Sequence, residues 1–179
     1  IRCARRREAM ERPTVYELRA PAPALRRYIE HYWSVAPAAG EAVDLRVTVF
    51  VDARADLIAN FGAPYTREVL GSPPRRMRRA NLDAQRLHPI RITQRGDVRI
   101  CGARFHLGGV APFARASLHA FTDRTPAPAA VFGDEAAALD DALRDALDLD
   151  AQARALDAFF LRALTDDPAR RRFERALDH

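Results

Sequence analysis

The sequence predicts an α+β fold, in which a small barrel or sandwich of short β-strands is followed by α-helices. Two changes of hydrophobic period support this prediction. Apolar and polar residues alternate from Val43 to Val51, which is typical of a half-buried strand. After Gly108-Gly109 the period shifts toward that of a helix, and the composition is helical from Asp134 onward. Gly and Pro divide the middle of the chain into short segments, as in small β-barrels and sandwiches.

The composition is that of one globular domain. The 179 residues are 48 % hydrophobic and 30 % charged, which is typical of globular and not of disordered chains. The sequence holds no run of eighteen apolar residues, so we predict no transmembrane helix and no membrane partner. Its basic N-terminus is not followed by the apolar run of a secretory signal, and two cysteines are too few for a disulfide framework. These features predict a cytoplasmic protein.

The N-terminal third is predicted to hold an arm, a strand and a helix. Residues 1–13 are basic and poor in apolar residues, so we expect a disordered arm. Thr14 to Arg19 is a strand candidate. Pro21 and Pro23 suit the start of a helix, and the sequence predicts an amphipathic helix from Ala24 to Trp33 that covers the sheet. Its apolar stripe has helical spacing and consists of Leu25, Tyr28, Ile29, Tyr32 and Trp33.

The middle third is predicted to be a series of strands. The alternating segment Val43 to Val51 is followed by a turn and by a second strand, Asp56 to Phe61. Further along, the sequence predicts a hairpin that joins Gln85–Gln94 to Asp97–His106 around Arg95-Gly96-Asp97.

The C-terminal third is predicted to be helical. We expect a short helix from Val110 to Phe121, then two antiparallel helices after Asp134. The first of the two carries a stripe of Leu139, Leu143 and Leu147, and Asp150 is the predicted N-cap of the second. A last, very polar helix is expected from Asp167 to His179.

The motifs of common enzyme classes are missing from the sequence. It contains no glycine-rich phosphate loop, no nucleophile elbow and no Cys-x-x-Cys. No two of the five histidines are two residues apart, the spacing that would place a histidine pair on one strand for a metal. Cys101 lies in a predicted strand and fits a small buried hydrophobe better than a nucleophile. We therefore predict no catalytic residues, no metal site and no cofactor.

Three groups of residues are candidates for binding, and each has an alternative. An apolar ligand pocket, or simply the core, would be built by the aromatic residues Tyr28, Tyr32, Trp33, Phe50, Phe61 and Phe105. The stripe of Leu139, Leu143 and Leu147 would form a dimer seam or pack on its own barrel. The third group would contact phosphate or would belong to a solvated loop, and it consists of Arg75, Arg76, Arg78 and Arg79. The net charge is +5, and all the basic residues behind it are arginines. A GC-rich genome would favour arginine codons, and nucleic-acid binding would favour positive charge.

Several short patterns, taken in order, resemble a known family. They are Pro23-Ala24-Leu25 with Tyr32-Trp33, Asp52 before Asp56-Leu57-Ile58, Gly71, Gly102-Ala103-Arg104-Phe105 with Gly108-Gly109, Phe121-Thr122-Asp123, and Val131-Phe132-Gly133. Over about residues 15–165, the layout resembles the N-terminal domain of AraC-type transcriptional regulators, in a subgroup with a cupin-like sensory barrel. Where that family often has Pro-Asp-Gly, this chain has Val51-Asp52-Ala53, so the turn at Asp52 is made without glycine.

The resemblance implies a function. Residues 14–165 would be the sensory, effector-binding and dimerisation domain of a transcription regulator. Residues 166–179 would be a linker helix toward a helix-turn-helix half that this chain lacks, so DNA would be bound only through that missing half. The expected partners are an unknown small-molecule effector or protein and a second copy of the chain. Two alternatives are a free-standing cupin-like binding protein or enzyme and a basic nucleic-acid-binding module.

Overall fold

Two antiparallel sheets and a C-terminal group of helices make up the fold. A computed structural model describes residues 14–37, 43–77 and 79–165. In this part of the chain the strands are β1 (Thr14–Arg19), β2 (Ile29–Pro37), β3 (Val43–Val49), β4 (Asp56–Asn60), β5 (Tyr65–Val69), β6 (Arg75–Arg76), β7 (Ala80–Asp83), β8 (Ile90–Gly96) and β9 (Ile100–Phe105). The helices are α1 (Pro128–Phe132), α2 (Ala136–Asp145) and α3 (Leu149–Thr165). The predicted arm 1–13 and linker helix 166–179 lie outside the described residues.

The two sheets face each other as a barrel-like sandwich. One sheet has the strand order β1-β2-β9-β4-β7 and the other β3-β8-β5-β6. In the described part of the chain no strand of one sheet pairs with a strand of the other, so the predicted barrel is not closed by backbone hydrogen bonds. The α+β class is confirmed, as are the strand at Thr14–Arg19 and a strand that begins at Val43.

The prediction of a covering N-terminal helix is wrong. Pro23–Leu25 form a single 3₁₀ turn, and Ile29 already belongs to the strand β2. Both faces of β2 are covered: Tyr32 is fully buried on the helix side, while Trp33 lies on the opposite face, where its ring is 6.4 Å from that of Tyr16. An irregularity between Ile29 and His31 shifts the pairing of β2 with β9. Because of this irregularity, Ile29 and Tyr32 both lie in the helix-side core although they are three residues apart, a spacing that fits a helix and not a regular strand.

The predicted hairpin around Gly96 is also wrong. Strand β8 pairs with β3 and β5, whereas β9 pairs with β2 and β4 in the other sheet. The chain therefore crosses between the sheets at Asp97–Arg99. The turn residues at Gly96 predicted the reversal but not which strands it would pair.

The C-terminal helices cover one face of the five-stranded sheet. Helices α2 and α3 contact each other, and α3 also contacts β1, β2 and β9. Tyr32 donates a hydrogen bond to Asp157 of α3 over 2.8 Å. The N-cap prediction is off by two residues, because Asp148 and not Asp150 accepts a hydrogen bond, 2.7 Å long, from the backbone N–H of Ala151. The prediction of one helix from Val110 to Phe121 is wrong: the segment holds turns and a 3₁₀ helix, Leu118–Phe121.

The hydrophobic core lies between this sheet and the helices. It is a continuous cluster in which Phe105, Phe113 and Phe160 contact one another, with ring centroids 4.8 to 6.1 Å apart. Ile58, Ile90 and Val98 are buried but do not belong to this cluster. The space between the two sheets is therefore a separate interior. No helix of the described residues is long and apolar enough to cross a membrane.

Candidate ligand-binding site

The interior between the sheets is lined largely by polar side chains. Strand residues two apart share a face, so Leu57 and Ala59 of β4 face the helices while Asp56 and Asn60 face the other sheet. The same alternation in β7 buries Leu82 in the helix-side core and turns Asn81 and Asp83 inward. Opposite them, the sheet containing β5 and β8 contributes the buried side chains Tyr65, Arg67 and Gln94.

An ionic cluster connects the two sheets. The Arg67 guanidinium of β5 lies 3.2 Å from one carboxylate oxygen of Asp83 in β7. The Arg86 guanidinium lies 2.5 Å from the other oxygen. All three side chains are at least nine-tenths buried. Burial raises the pKa of Asp83, and the two guanidinium groups oppose that shift. One carboxylate shared by two arginines leaves the cluster with a net positive charge.

Neutral polar groups connect the sheets beside that cluster. The Asn81 amide of β7 donates to the Tyr65 hydroxyl of β5 over 2.8 Å. The Gln94 amide of β8 donates to Asn60 over 3.2 Å and to the Ala63 carbonyl over 2.6 Å. Several buried polar atoms of this interior have no hydrogen-bonding partner among the described residues, namely Arg67 Nε, Asn81 Oδ1, Arg86 Nε and Gln94 Oε1. Such atoms are costly when unsatisfied, and they mark a place where a polar ligand or water fits.

A pocket of about 530 Å³ opens beside the ionic cluster. This volume is within the range of pockets that hold small molecules. One wall is formed by β5, β6 and the turn between them, and the other by residues 121–126, which run beside β7 through backbone hydrogen bonds to Leu82 and Ala84. Arg67 lines this pocket and also belongs to the ionic cluster, so the pocket and the polar interior form one site.

The charge of the pocket is positive. Among the described residues, Arg67, Arg75 and Arg124 line it, together with one acidic residue, Asp123. One oxygen of Asp123 accepts the backbone N–H of Leu87 over 2.8 Å, and the other lies 3.2 Å from the His88 ring. The hydrogen bond from Leu87 is the main cause that lowers the pKa of Asp123, which is therefore a carboxylate already held by groups outside the pocket. Val69, Met77 and Phe121 supply apolar wall.

A second polar centre surrounds Arg104 on β9. Its guanidinium forms an ion pair with Asp52 and lies 3.6 Å from Asp56 and 4.0 Å from Glu30. Trp33 also makes a side-chain hydrogen bond to Asp56. Burial raises the pKa of Asp56 to about 6, although Arg104 opposes the shift. Since three carboxylates surround one arginine, this centre is internally compensated and offers an anion no free cation.

The six aromatic residues predicted to bind a ligand are not brought together. Tyr28 and Phe105 both contact Phe113 in the helix-side core, with ring centroids 5.6 and 6.1 Å away. Tyr32 lies in the same core and Trp33 on the opposite face of the sheet. Phe61 lies under the Arg79 guanidinium, 5.6 Å away. Phe50 is 76 % exposed just after β3. None of the six lines the 530 Å³ pocket, and their role in ligand binding stays a prediction from the sequence.

The predicted leucine stripe divides into two parts. Leu139 and Leu143 are buried in the core, whereas Leu147 is 98 % exposed beyond the end of α2. A dimer seam through all three would thus need a different packing of α2, and the dimer stays a prediction.

The predicted basic cluster is also divided. Arg75 lines the pocket, Arg79 lies over Phe61, and Arg78 is outside the described residues. Cys101 is buried, as expected of a small hydrophobe, and burial raises the pKa of its thiol to about 12. In the described residues no three His, Cys, Asp or Glu side chains are grouped so as to hold a metal.

Sequence analysis named Arg75 as a candidate phosphate contact but missed the other residues of this site. The signal for Arg67 is present, because it has the same phase as Tyr65 and Val69 in the strand Tyr-Thr-Arg-Glu-Val and so shares the buried face. A charged residue in an apolar phase indicates a buried ion pair or a ligand. Arg124 and Asp123 give no such signal, since they lie in a segment whose position depends on the fold as a whole.

Comparison with known proteins defines the family. Residues 17–127, more than half of the chain, match the family described as a domain of unknown function, DUF6597, and the chain belongs to it. Such domains are often the N-terminal part of AraC-type regulators. The polar interior and the residues that line the pocket lie within the matched range. No curated protein and no solved structure matches the chain.

Proposed function

We propose that this domain is the effector-sensing part of an AraC-type transcription regulator, and that the effector binds in the pocket beside the inter-sheet ionic cluster. One observation carries the proposal: a domain of a family often found at the N-terminus of such regulators contains a pocket of ligand size, next to buried polar atoms that have no partner. A domain with only a structural role would gain stability from apolar residues at those positions.

The geometry also suggests how binding would be transmitted. The pocket wall at residues 121–126 leads after a single residue into α1 at Pro128, and Val131 and Phe132 of α1 are buried in the core with α3. Movement of that wall on binding would therefore reach the helices. By resemblance, DNA would be bound by a separate helix-turn-helix region, which the helices would contact or position.

The proposal predicts a ligand that acts on both stability and DNA affinity. A compound at a hundredfold excess over its dissociation constant stabilises the folded domain by about 2.7 kcal/mol, and each kcal/mol raises Tm by roughly 2–4 °C for this size. A thermal-shift screen of metabolites should therefore identify a compound, and that compound should change the affinity of the full-length protein for its operator DNA. The proposal is wrong if the coding sequence downstream of His179 encodes no helix-turn-helix pair.

A further inference from the structure

We infer that the 530 Å³ pocket binds a small anion-bearing molecule, whose carboxylate or phosphoryl group contacts Arg67, Arg75 and Arg124. The inference rests on the proposed function and names the chemical class of the effector. It follows from three features of the pocket: a buried arginine with an unused donor, two arginines opposite each other on neighbouring strands, and a described lining whose one carboxylate, Asp123, is already held by Leu87 and His88.

Arg67 is the buried anchor of this site. Its side chain is only 9 % exposed, yet it lines the pocket. One terminal nitrogen lies 3.2 Å from Asp83, while Nε is buried and has no hydrogen-bonding partner in the part of the chain that the structure describes. A guanidinium presents five donors in a planar fork that matches carboxylate and phosphate geometry. Asp83 also accepts a hydrogen bond from Arg86 over 2.5 Å, so the described residues do not supply enough acceptors for the donors buried here.

Arg75 lies directly opposite Arg67. The two residues are paired in the register of β5 with β6, so their side chains leave the same face of the sheet. Like charges directly opposite on paired strands destabilise a sheet unless a group of opposite charge lies between them. Arg124 reaches the same pocket from the facing wall. Among the described residues, no carboxylate lies within ion-pair distance of Arg75 or Arg124.

The rest of the pocket limits what the anion can be attached to. Ser72 and Thr125 add hydroxyl groups near the arginines, and Val69, Met77 and Phe121 add an apolar wall. A small organic acid or a phosphorylated metabolite matches this combination, since its charged end has three guanidinium groups and its body has both hydroxyl and apolar neighbours. Carboxylate and phosphoryl groups share this chemistry, and the experiment below separates them.

The test is calorimetric titration of the 179-residue chain with inorganic phosphate and, separately, with succinate. We expect at least one of the two to bind. Arg75→Ala and Arg124→Ala should each weaken that binding by about tenfold to a hundredfold, the loss expected for one hydrogen bond between charged groups. Arg76→Ala is the matched control. It removes the same charge from the neighbouring position of β6, whose side chain leaves the opposite face, and should change binding by about twofold or less.

Both substituted arginines are exposed, so their variants should fold even if a substitution of the buried Arg67 does not; circular dichroism checks this. Binding of phosphate alone assigns a phosphoryl ligand, and binding of succinate alone assigns a carboxylate. The inference is wrong if neither binds, or if Arg76→Ala weakens binding as much as Arg75→Ala does. Should a neutral compound stabilise the domain while both anions fail, the effector proposal would hold without this inference. Should the anions bind but leave operator affinity of the full-length protein unchanged, the inference would hold and the regulator proposal would fail.

Discussion

The burial of Asp56 in the polar interior makes the stability of the domain depend on pH. It is 9 % exposed, and burial raises its pKa from the ordinary value of 3.8 to about 6, against the opposing effect of Arg104. The folded state therefore binds this proton more tightly than the unfolded state. The stability that results is fully present below pH 3.8 and is lost as the pH rises through 6. A shift of about two units corresponds to about 3 kcal/mol.

We expect Asp56→Asn to remove this dependence. The amide cannot titrate, and its oxygen can still accept the hydrogen bond from Trp33. In the native chain, deprotonation of Asp56 should lower the free energy of unfolding by about 2–3 kcal/mol between pH 4 and pH 7. This contribution should be absent from the variant, and urea unfolding across this pH range measures the difference. An unchanged slope in the variant would show that Asp56 is not the group responsible.

Gly102 is required by the close approach of a neighbouring strand. A Cβ there would overlap the Leu57 carbonyl oxygen of β4 and would lie 2.8 Å from the Trp33 ring. Backbone atoms cannot move away without breaking the pairing of β4 with β9, so Gly102→Ala should lower the free energy of unfolding by about 3 kcal/mol. Gly108→Ala is the control, because its positive φ of 72° costs about 1 kcal/mol but nothing lies within 4 Å. Equal losses in thermal or urea unfolding would contradict the overlap.

At the scale of elements, one leucine of α2 packs in the core, and another leucine just beyond the end of α2 is exposed. Leu143 is 2 % exposed and belongs to the core, whereas Leu147 is 98 % exposed. Leu143→Ala should therefore destabilise the domain by about 2–5 kcal/mol, while Leu147→Ala should change stability by less than about 0.5 kcal/mol. Urea unfolding gives both values. Analytical ultracentrifugation of the two folded variants addresses the dimer: a seam formed by the whole stripe would lose self-association in both.

Secondary structure was predictable from the sequence where the alternation along a strand is uninterrupted. Strand β3 pairs with β8 in an unbroken register, and its strict alternation of apolar and polar residues identified it. In strand β2 the irregularity between Ile29 and His31 interrupts the alternation, so the buried residues Ile29 and Tyr32 are three apart and a helix fitted them equally well. The site was less predictable. The pairing of Arg67 with Asp83 depends on β5 facing β7 across the two sheets, and no local pattern specifies which strands face each other.

At the scale of the whole molecule, the arginines make different contacts and are not gathered into one positively charged surface. Of the arginines in the predicted basic cluster, Arg75 lines the pocket and Arg79 lies over Phe61. Others form ion pairs with carboxylates, for example Arg91 with Glu68 and Arg104 with Asp52. A net charge of +5 is therefore no measure of a surface for nucleic acid, since an extended backbone requires a continuous row of cations.

Because the arginines are engaged in different contacts, we predict weak binding of duplex DNA by the 179-residue chain. We expect a dissociation constant in the non-specific range, about 10⁻⁴ to 10⁻⁶ M at physiological salt, without sequence preference. If Arg75, Arg76 and Arg79 instead contacted phosphates together, log affinity would fall with log salt at a slope near −2.7, from about −0.9 per phosphate, and replacing all three by Ala would abolish binding. A fluorescence titration at several salt concentrations measures both quantities. Nanomolar, sequence-selective binding by this chain alone would contradict this prediction. It would favour a nucleic-acid-binding module over an effector-sensing domain.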